Sequence, residues 1–182
     1  MRHFKNFKTC VYCTAQTLAS LDETTLARDY AYLEKYVGID KVYLETYRDG
    51  TWVAIDHMKM IQNFFKEHGV EMAGGITTVT PPLEKDDAKR QRLFQTFCYS
   101  NEAMRTYLKK IVTYTAELFD EIILDDFFFT SCTCDDCLRE RSNLSWTEFR
   151  SKKMIDVAEN LVLKPAKLAN PSVKVTIKYP NW

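Results

Sequence analysis

Two adjacent aspartates and a cluster of cysteines lie close together in the second half of the chain. Asp125 and Asp126 end an apolar run, and three cysteines follow at C-x-C-x2-C spacing. Together with an upstream residue, the cysteine set is Cys98, Cys132, Cys134 and Cys137. Four thiolates can close a tetrahedral zinc site, and a carboxyl group can act as a general acid or base. The segment therefore predicts a structural metal beside candidate acid/base chemistry.

The metal prediction has a simpler alternative. In a reducing compartment the three close cysteines could be free thiols, with Cys98 a distant core residue. Zinc spacing is the commonest reason for three cysteines on one short loop. With four thiolate ligands the metal has no open position, so its expected role is to hold loops together. The other two cysteines, Cys10 and Cys13, fall on a predicted strand, point to opposite faces and are expected to be ordinary buried residues.

The two aspartates also allow two interpretations. Because they are adjacent on a strand, Asp125 and Asp126 should point in opposite directions. One or both could simply cap the following loop. Alternatively, one carboxyl acts as the general acid/base of a glycosidase, an enzyme class that uses two carboxyl groups with different pKa values.

Strand and helix patterns alternate along the chain and must position these residues. The predicted strands are 8–15, 41–47, 70–79, 120–128 and 173–179. The predicted helices are 22–37, 56–68, 101–119 and 145–168, and the last begins with a capping box at Ser145 and Glu148. A polar loop is expected from Leu83 to Arg92, and the Gly74-Gly75 pair predicts a bulge or the close approach of another group.

This alternation predicts an α/β fold with parallel βαβ units. An eightfold barrel takes roughly 250 residues, so residues 1–182 are expected to form the N-terminal portion of a TIM barrel, with its first five strands and intervening helices. A five-stranded doubly wound sheet is the alternative. The partial barrel is favoured because the chain ends on a strand and because no Gly-x-Gly-x-x-Gly loop follows the first strand.

Functional residues of such barrels lie at the carboxyl ends of the strands. The second predicted strand ends in Glu45, Tyr47 and Arg48. The fifth ends in Lys178, Tyr179 and Trp182. Further polar residues at strand ends are Thr14, Gln16, Thr77, Thr78 and Asn181. Charged groups, amides and aromatic planes suit sugar hydroxyls and ring faces, although Glu45 could equally be an ordinary salt-bridged residue at a strand end.

Residues 97–150 resemble the glycoside hydrolase family 42 β-galactosidases. The resemblance rests on Phe97-Cys98-Tyr-Ser-Asn-Glu, a long helix, the strand-four end, the C-x-C-x2-C cysteines, and Trp146-x-x-Phe149-Arg150. It implies a zinc held by the four cysteines and an acid/base carboxylate at the end of strand four. By position, Asp125 takes the place of that family's asparagine and Asp126 the place of its acid/base glutamate.

Two departures from the family pattern affect this interpretation. Asp-Asp replaces Asn-Glu, and the family's nucleophile is a glutamate at the end of strand seven, beyond the five strands predicted here. The second carboxylate would come from a longer chain, or a different mechanism applies. In one such mechanism, similar to that of α-galactosidase-type barrels, Asp125 or Asp126 is itself the nucleophile.

The sequence therefore predicts a glycosidase, active when the full barrel is present, that cleaves oligo- or polysaccharides. Glu45, Tyr47, Arg48, Lys178, Tyr179 and Trp182 would bind the sugar. The alternative is a non-catalytic, zinc-stabilised carbohydrate-binding or scaffolding module. An open sheet edge would be covered by a second copy of the chain or by the missing half of the barrel.

Composition limits the other possible partners. Lys+Arg and Asp+Glu are both 25 and the isoelectric point is near 6.8, which gives no electrostatic reason to expect nucleic acid or an anionic membrane. A zinc-ribbon nucleic-acid binder is disfavoured for the same reason. No apolar run approaches the ~20 residues of a membrane span, and no signal peptide is predicted. A cytoplasmic location, or a periplasmic or secreted one after removal of a leader, stays open.

Overall fold

A twisted parallel sheet organises the computed structural model, which describes residues 4–79 and 92–178. Its parallel strands run β1 (Cys10–Cys13), β2 (Lys41–Arg48), β4 (Glu71–Ile76), β5 (Glu121–Leu124) and β6 (Lys174–Ile177). A two-residue strand, β3 (Thr51–Trp52), pairs antiparallel with the end of β2. The five predicted strands are confirmed. Strands β1, β4 and β5 are shorter than the pattern indicated, and β2 extends one residue further, to Arg48.

Helices connect the parallel strands. They are α1 (Ala15–Ser20), α2 (Glu23–Tyr36), α3 (Ile55–Glu67), α4 (Glu102–Leu118), α5 (Asp135–Arg141), α6 (Trp146–Val157) and α7 (Lys164–Ala169). The predicted capping box is present, because the Ser145 hydroxyl accepts from the backbone N–H of Glu148 and the Glu148 side chain accepts from that of Ser145. The two short helices α1 and α5 were not predicted.

The last predicted helix is continuous but not uniformly α-helical. A π-helical segment, Ala158–Leu163, joins α6 to α7, and Pro165 lies in the first turn of α7. Proline lacks a backbone N–H and crowds the preceding turn of an α-helix. The wider π-helical turn just before Pro165 lets the helix continue through this position.

The strand order identifies the type of α/β sheet. Neighbours follow the chain in one direction, β1-β2-β4-β5-β6, and all pair in parallel. A doubly wound sheet reverses its order at a switch point, whereas a TIM barrel does not. The described residues therefore form an α/β unit of the partial-barrel type.

Helices cover one face of the sheet over a single large hydrophobic core. Gly74 lies on this face, and a Cβ at that position would lie 2.5 Å from Cγ2 of Thr115 and 2.7 Å from Cδ2 of Phe119, both near the end of α4. The glycine pair thus marks a close approach, as the sequence indicated. The absence of a side chain at Gly74 brings α4 directly onto the middle of the sheet.

The opposite face of the sheet is polar. Lys41 of β2 forms an ion pair with Glu121 of β5 at 2.6 Å, and the rings of Tyr12 and Tyr43 stack with centroids 6.3 Å apart. Cys10 lies exposed at the start of β1, whereas Cys13 packs against the core. The expectation that both are buried is therefore wrong for Cys10, and Cys13 is only partly buried. Among the described residues, no helix is long and apolar enough to cross a membrane.

Candidate functional site

The carboxyl ends of β2, β5 and β6 bring charged side chains together. Glu45 and Arg48 come from β2, Asp125 and Asp126 follow β5, and Lys178 follows β6. Parallel pairing makes this convergence unavoidable, because the carboxyl ends of all five strands meet at the same edge. We call these five residues the strand-end cluster.

Glu45 lies at the base of the cluster and is fully buried. Its Oε2 accepts the backbone N–H of Ala15 at 2.7 Å, and its Oε1 accepts the Tyr12 hydroxyl at 2.8 Å and the Thr77 hydroxyl. The Nε–H of Arg48 reaches both oxygens, at 2.8 and 3.1 Å. A buried carboxylate needs such partners, and here protein groups provide them.

Arg48 connects Glu45 to the first aspartate. Its Nη2 lies 3.2 Å from Oδ2 of Asp125, and its guanidinium lies over the ring of Phe127, 5.8 Å from the ring centre. Burial alone lowers the pKa of Arg48, but the hydrogen bonds and charge of Glu45 outweigh burial and raise it overall. Arg48 therefore stays a cation that joins two carboxylates.

Lys178 continues the chain of ion pairs. Its Nζ lies 3.3 Å from Oδ1 of Asp125 and 3.2 Å from Oδ2 of Asp126. Hydrogen bonds to Asp126 and then to Asp125 raise the pKa of Lys178. The side chain of Asp125 is only 13% exposed, whereas that of Asp126 is 37% exposed. Asp126 is therefore the carboxyl group of this pair that a bound molecule can reach more easily.

The loop after the two aspartates is fixed by backbone contacts. The hydroxyl of Thr78 donates to the carbonyl of Phe127 at 2.7 Å, and the N–H of Phe128 donates to the carbonyl of Asp125 at 3.2 Å. The N–H of Asp125 itself still pairs with Ile76 of β4. The aspartates thus leave a sheet strand and enter an ordered turn, which restricts where their carboxylates can lie.

Tyr47 does not join the strand-end cluster. The register of β2 shifts between Glu45 and Tyr47, and the ring of Tyr47 is fully buried against Trp52, Phe97 and Tyr107. Simple alternation would place Tyr47 on the same face as Glu45, and the irregularity turns it toward the helices instead. The sugar contact predicted for Tyr47 is inconsistent with this position.

The remaining strand-end candidates have structural contacts or lie elsewhere. The hydroxyl of Thr14 caps α1, and the side-chain amide of Gln16 donates to the carbonyl of Arg48 at 3.3 Å. Tyr179, Asn181 and Trp182, as well as most of the predicted loop 83–92, lie outside the described residues. Their predicted positions stay predictions.

Of the four residues that donate to Glu45, sequence reasoning named Arg48 and Thr77 as strand-end residues but missed Tyr12 and Ala15. Tyr12 comes from β1, and its hydroxyl occupies the space left by Gly75, where a Cβ would lie 2.7 Å from that oxygen. Burial and then the negative charge of Glu45 raise the pKa of Tyr12. The Gly74-Gly75 pair was the available signal, since it predicted a close approach without naming the partner.

The four cysteines converge as their spacing predicts. Their sulfur atoms all lie within 4.8 Å of one another, and the pairs Cys98–Cys134, Cys98–Cys137 and Cys134–Cys137 are 3.7, 3.6 and 3.8 Å apart. A disulfide needs about 2.05 Å, so these are separate thiols. Phe149, Leu144 and Trp146 pack around the cluster and shield it.

These distances fit a metal ion. A tetrahedron with metal–sulfur bonds of about 2.3 Å has edges of about 3.8 Å, which matches the three sulfur–sulfur distances. Hydrogen bonds from Cys137 and then Cys98 lower the pKa of the Cys132 thiol, and the same contacts with Cys132 raise the pKa of the Cys98 and Cys137 thiols, so these contacts stabilise one thiolate, at Cys132. The four cysteines together could bind a metal.

A separate cavity of about 270 Å³ lies among α5 and α6, lined by Glu140, Leu144, Phe149, Lys152, Lys153 and Asp156. Two of its charges are already paired, Lys153 with Glu140 and Asp156 with Arg105. It contains none of the strand-end cluster. Because the cavity lacks these residues, the strand-end cluster is the better candidate for sugar chemistry.

Comparison with known proteins supports a carbohydrate-active family. The chain is 33% identical over 202 aligned positions to an uncharacterized protein of Saccharolobus solfataricus, and the match covers 98% of this chain and 33% of that protein. The chain thus spans about a third of the length of this relative. Residues 1–182 also match, over their whole length, the family described as "probable glycosyl hydrolase, catalytic domain". The chain belongs to this probable glycosyl hydrolase family.

Proposed function

We propose that this domain hydrolyses O-glycosidic bonds of oligo- or polysaccharides, with Asp126 as the general acid/base. The observation that carries the proposal is the chain of ion pairs from Arg48 through Asp125 and Lys178 to Asp126, at the edge where barrel enzymes bind substrate. Family membership supports the reaction class. Asp126 is the more exposed of the two carboxylates, and Asp125 is the more tightly held.

Asp125 and Asp126 do not form the opposed pair that a glycosidase needs. Both carboxylates contact the same nitrogen of Lys178, so they lie side by side. The two catalytic carboxyl groups of a glycosidase flank the scissile bond, about 5–5.5 Å apart in retaining enzymes and farther apart in inverting ones. In this proposal the second carboxylate therefore comes from another segment of the complete barrel.

The roles of the other residues follow from their positions. Lys178 is exposed and can turn toward a sugar hydroxyl while it remains near the aspartates. Arg48 is held from below by Glu45, so its part is to fix Asp125. For Tyr179 and Trp182, which lie outside the described residues, the proposed roles are hydrogen bonding to the sugar and stacking against its ring.

The test is Asp126→Asn in the longest chain that contains residues 1–182, assayed on a series of aryl glycosides. Loss of a general acid typically costs 10²- to 10⁴-fold in rate, and we expect a loss of this size for poor leaving groups. Good leaving groups need little protonation, so their cleavage should suffer less. Asp120→Asn is the matched control, because Asp120 lies at the opposite end of β5 and bonds to Asn170.

Other outcomes would point elsewhere. Unchanged turnover in Asp126→Asn would remove Asp126 from the mechanism. An equal loss for all leaving groups would favour the alternative in which an aspartate is the nucleophile. Binding of oligosaccharides by calorimetry, without hydrolysis by the unaltered protein, would favour the non-catalytic module.

We also propose that the metal at Cys98, Cys132, Cys134 and Cys137 is zinc, in a structural role. Four thiolates at tetrahedral spacing are the usual donor set for structural zinc and leave no position for substrate. Elemental analysis should find one zinc per chain, and a strong chelator should release four additional titratable thiols. Free titration of all six thiols in metal-free protein as purified would contradict the proposal.

A further inference from the structure

Glu45 has no room to bind a substrate, although it lies beside the catalytic candidates. Its side chain is 0% exposed. Tyr12, Ala15, Arg48 and Thr77 all donate to its two oxygens. A carboxylate with this many donors is an acceptor that is already satisfied. Its function must therefore act through one of these partners.

Arg48 is the partner that leads to the reaction site. Its Nε–H is held by both oxygens of Glu45, while Nη2 lies 3.2 Å from Oδ2 of Asp125. Because a guanidinium is planar, fixing Nε fixes the direction in which Nη2 points. The position of Oδ2 of Asp125 thus depends on Glu45 and Arg48 of β2.

Asp125 transmits this position to its neighbour. Its other oxygen, Oδ1, contacts Lys178, and the same Lys178 nitrogen contacts Asp126. Both aspartates also belong to one short turn that is held by the bond between Phe128 and the carbonyl of Asp125. A shift of Asp125 would therefore move both the charge beside Asp126 and the backbone that carries it.

We propose that Glu45 is a positioning residue that fixes Asp125 through Arg48 and thereby sets the geometry of the acid/base carboxylate Asp126. This inference rests on the proposed glycosidase function and corrects the expectation that Glu45 binds the sugar. Tyr12 and Thr77 contribute to this positioning, since their hydroxyls donate to Glu45 and keep its carboxylate facing Arg48. Gly75 admits the Tyr12 hydroxyl.

The decisive variant is Glu45→Gln, which keeps the volume of the side chain and removes its charge. Arg48 then loses its buried counterion, and we expect kcat to fall about tenfold or more, with KM changed by less than about twofold, because misplacement of a reacting group costs rate rather than binding. Arg48→Lys is a second variant, since an ammonium cannot bridge Glu45 and Asp125 as a guanidinium does. It should show the same split between kcat and KM.

Thr46→Val is the matched control for a purely structural effect. Thr46 is adjacent to Glu45 on β2 and equally buried, but its hydroxyl bonds to Thr115 and to the carbonyl of Gly75 on the helix side. This variant should lose stability and keep its kcat per folded molecule. An equal fall in kcat for Thr46→Val and Glu45→Gln would overturn the positioning role.

A measurement without turnover separates this inference from the proposed function. In carbon-13 spectra of labelled protein, the Asp125 carboxyl signal, assigned by its loss in Asp125→Asn, should move in Glu45→Gln and Arg48→Lys but not in Thr46→Val. An unmoved signal in Glu45→Gln would overturn the inference even in an active enzyme. A moved signal in a protein that hydrolyses no glycoside would support the positioning of Asp125 and reject the proposed reaction.

Discussion

Individual hydrogen bonds stabilise the buried carboxylate of Glu45. Glu45 is fully buried, yet each of its oxygens has protein donors, and Arg48 supplies the opposite charge. Breaking one member of such a buried pair typically costs 3–5 kcal/mol, because the other charge remains without compensation. The hydroxyl donors Tyr12 and Thr77 are therefore as much a part of the site as the charged groups are.

Tyr12 makes a pH dependence at the residue scale testable. Burial and the charge of Glu45 raise its pKa in the folded protein above the ordinary value of about 10. The unfolded chain releases this proton near pH 10 while the folded chain keeps it, so the free energy of unfolding should fall as pH rises above about 10. The contribution of one retained proton is about 1.4 kcal/mol per pH unit.

Urea unfolding at several pH values from about 9 to 11 would measure this slope. Tyr12→Phe should have a slope shallower by up to about 1.4 kcal/mol per pH unit than the unaltered protein. Tyr32→Phe is the control, because Tyr32 lies 65% exposed on α2. Identical slopes for Tyr12→Phe and the unaltered protein would show that Tyr12 ionises equally in both states.

At the element scale, periodicity predicted the fold better than it predicted the site. The five strands, the four long helices and the capping box at Ser145 follow from local patterns and are confirmed. The six-residue helix α1 was missed because its sequence is too short to show a helical period. The burial of Glu45 was also missed, because it depends on Tyr12 and Ala15, which are about thirty residues away in the chain.

Tyr47 shows the limit of alternation in a strand. Its side-chain direction depends on one irregularity in β2, which no pattern in the sequence revealed.

The cysteine cluster is the opposite case. Three of its four members lie within six residues, from Cys132 in the loop after β5 to Cys137 in α5, so their spacing alone predicted the convergence that the structure shows.

The two central glycines of β4 face different layers, which gives a paired prediction for this strand. In Gly74→Ala the new Cβ meets Thr115 and Phe119 of the α4 region at 2.5 and 2.7 Å. Overpacking of this kind costs about 1–3 kcal/mol, so the free energy of unfolding should fall by that amount while kcat per folded molecule is kept. Urea unfolding combined with the glycoside assay would measure both.

Gly75→Ala should behave differently, because its Cβ would meet the Tyr12 hydroxyl at 2.7 Å and Cα of Glu45 at 3.2 Å. Tyr12 can turn away, but then Glu45 loses a donor, and kcat should fall together with stability. Equal kcat values in Gly74→Ala and Gly75→Ala would contradict this assignment, in which the Gly74 face of β4 serves packing and the Gly75 face serves the site.

For the whole molecule, the cysteine cluster joins the segment before α4 to the segment after β5. Cys98 precedes α4, whereas Cys132, Cys134 and Cys137 follow β5. A metal bound by the four cysteines would hold the start of α4 against the segment that follows β5. It would thereby also anchor the far end of the loop that carries Asp125 and Asp126. Because the metal binds the folded arrangement of thiolates, its binding free energy adds to the stability of the fold.

The stability of the molecule should therefore depend on free zinc. Above the dissociation constant, each tenfold increase in buffered free zinc should raise the free energy of unfolding by about 1.4 kcal/mol, less whatever the unfolded chain gains by binding zinc itself. Urea unfolding in a series of zinc buffers would measure this slope. Cys132→Ser removes one ligand and should flatten it, whereas Cys10→Ser, at an exposed thiol on β1, should leave it unchanged. A slope of zero in the unaltered protein would mean that the four cysteines hold no zinc in the folded state, and the shielded thiols would then act only as packing.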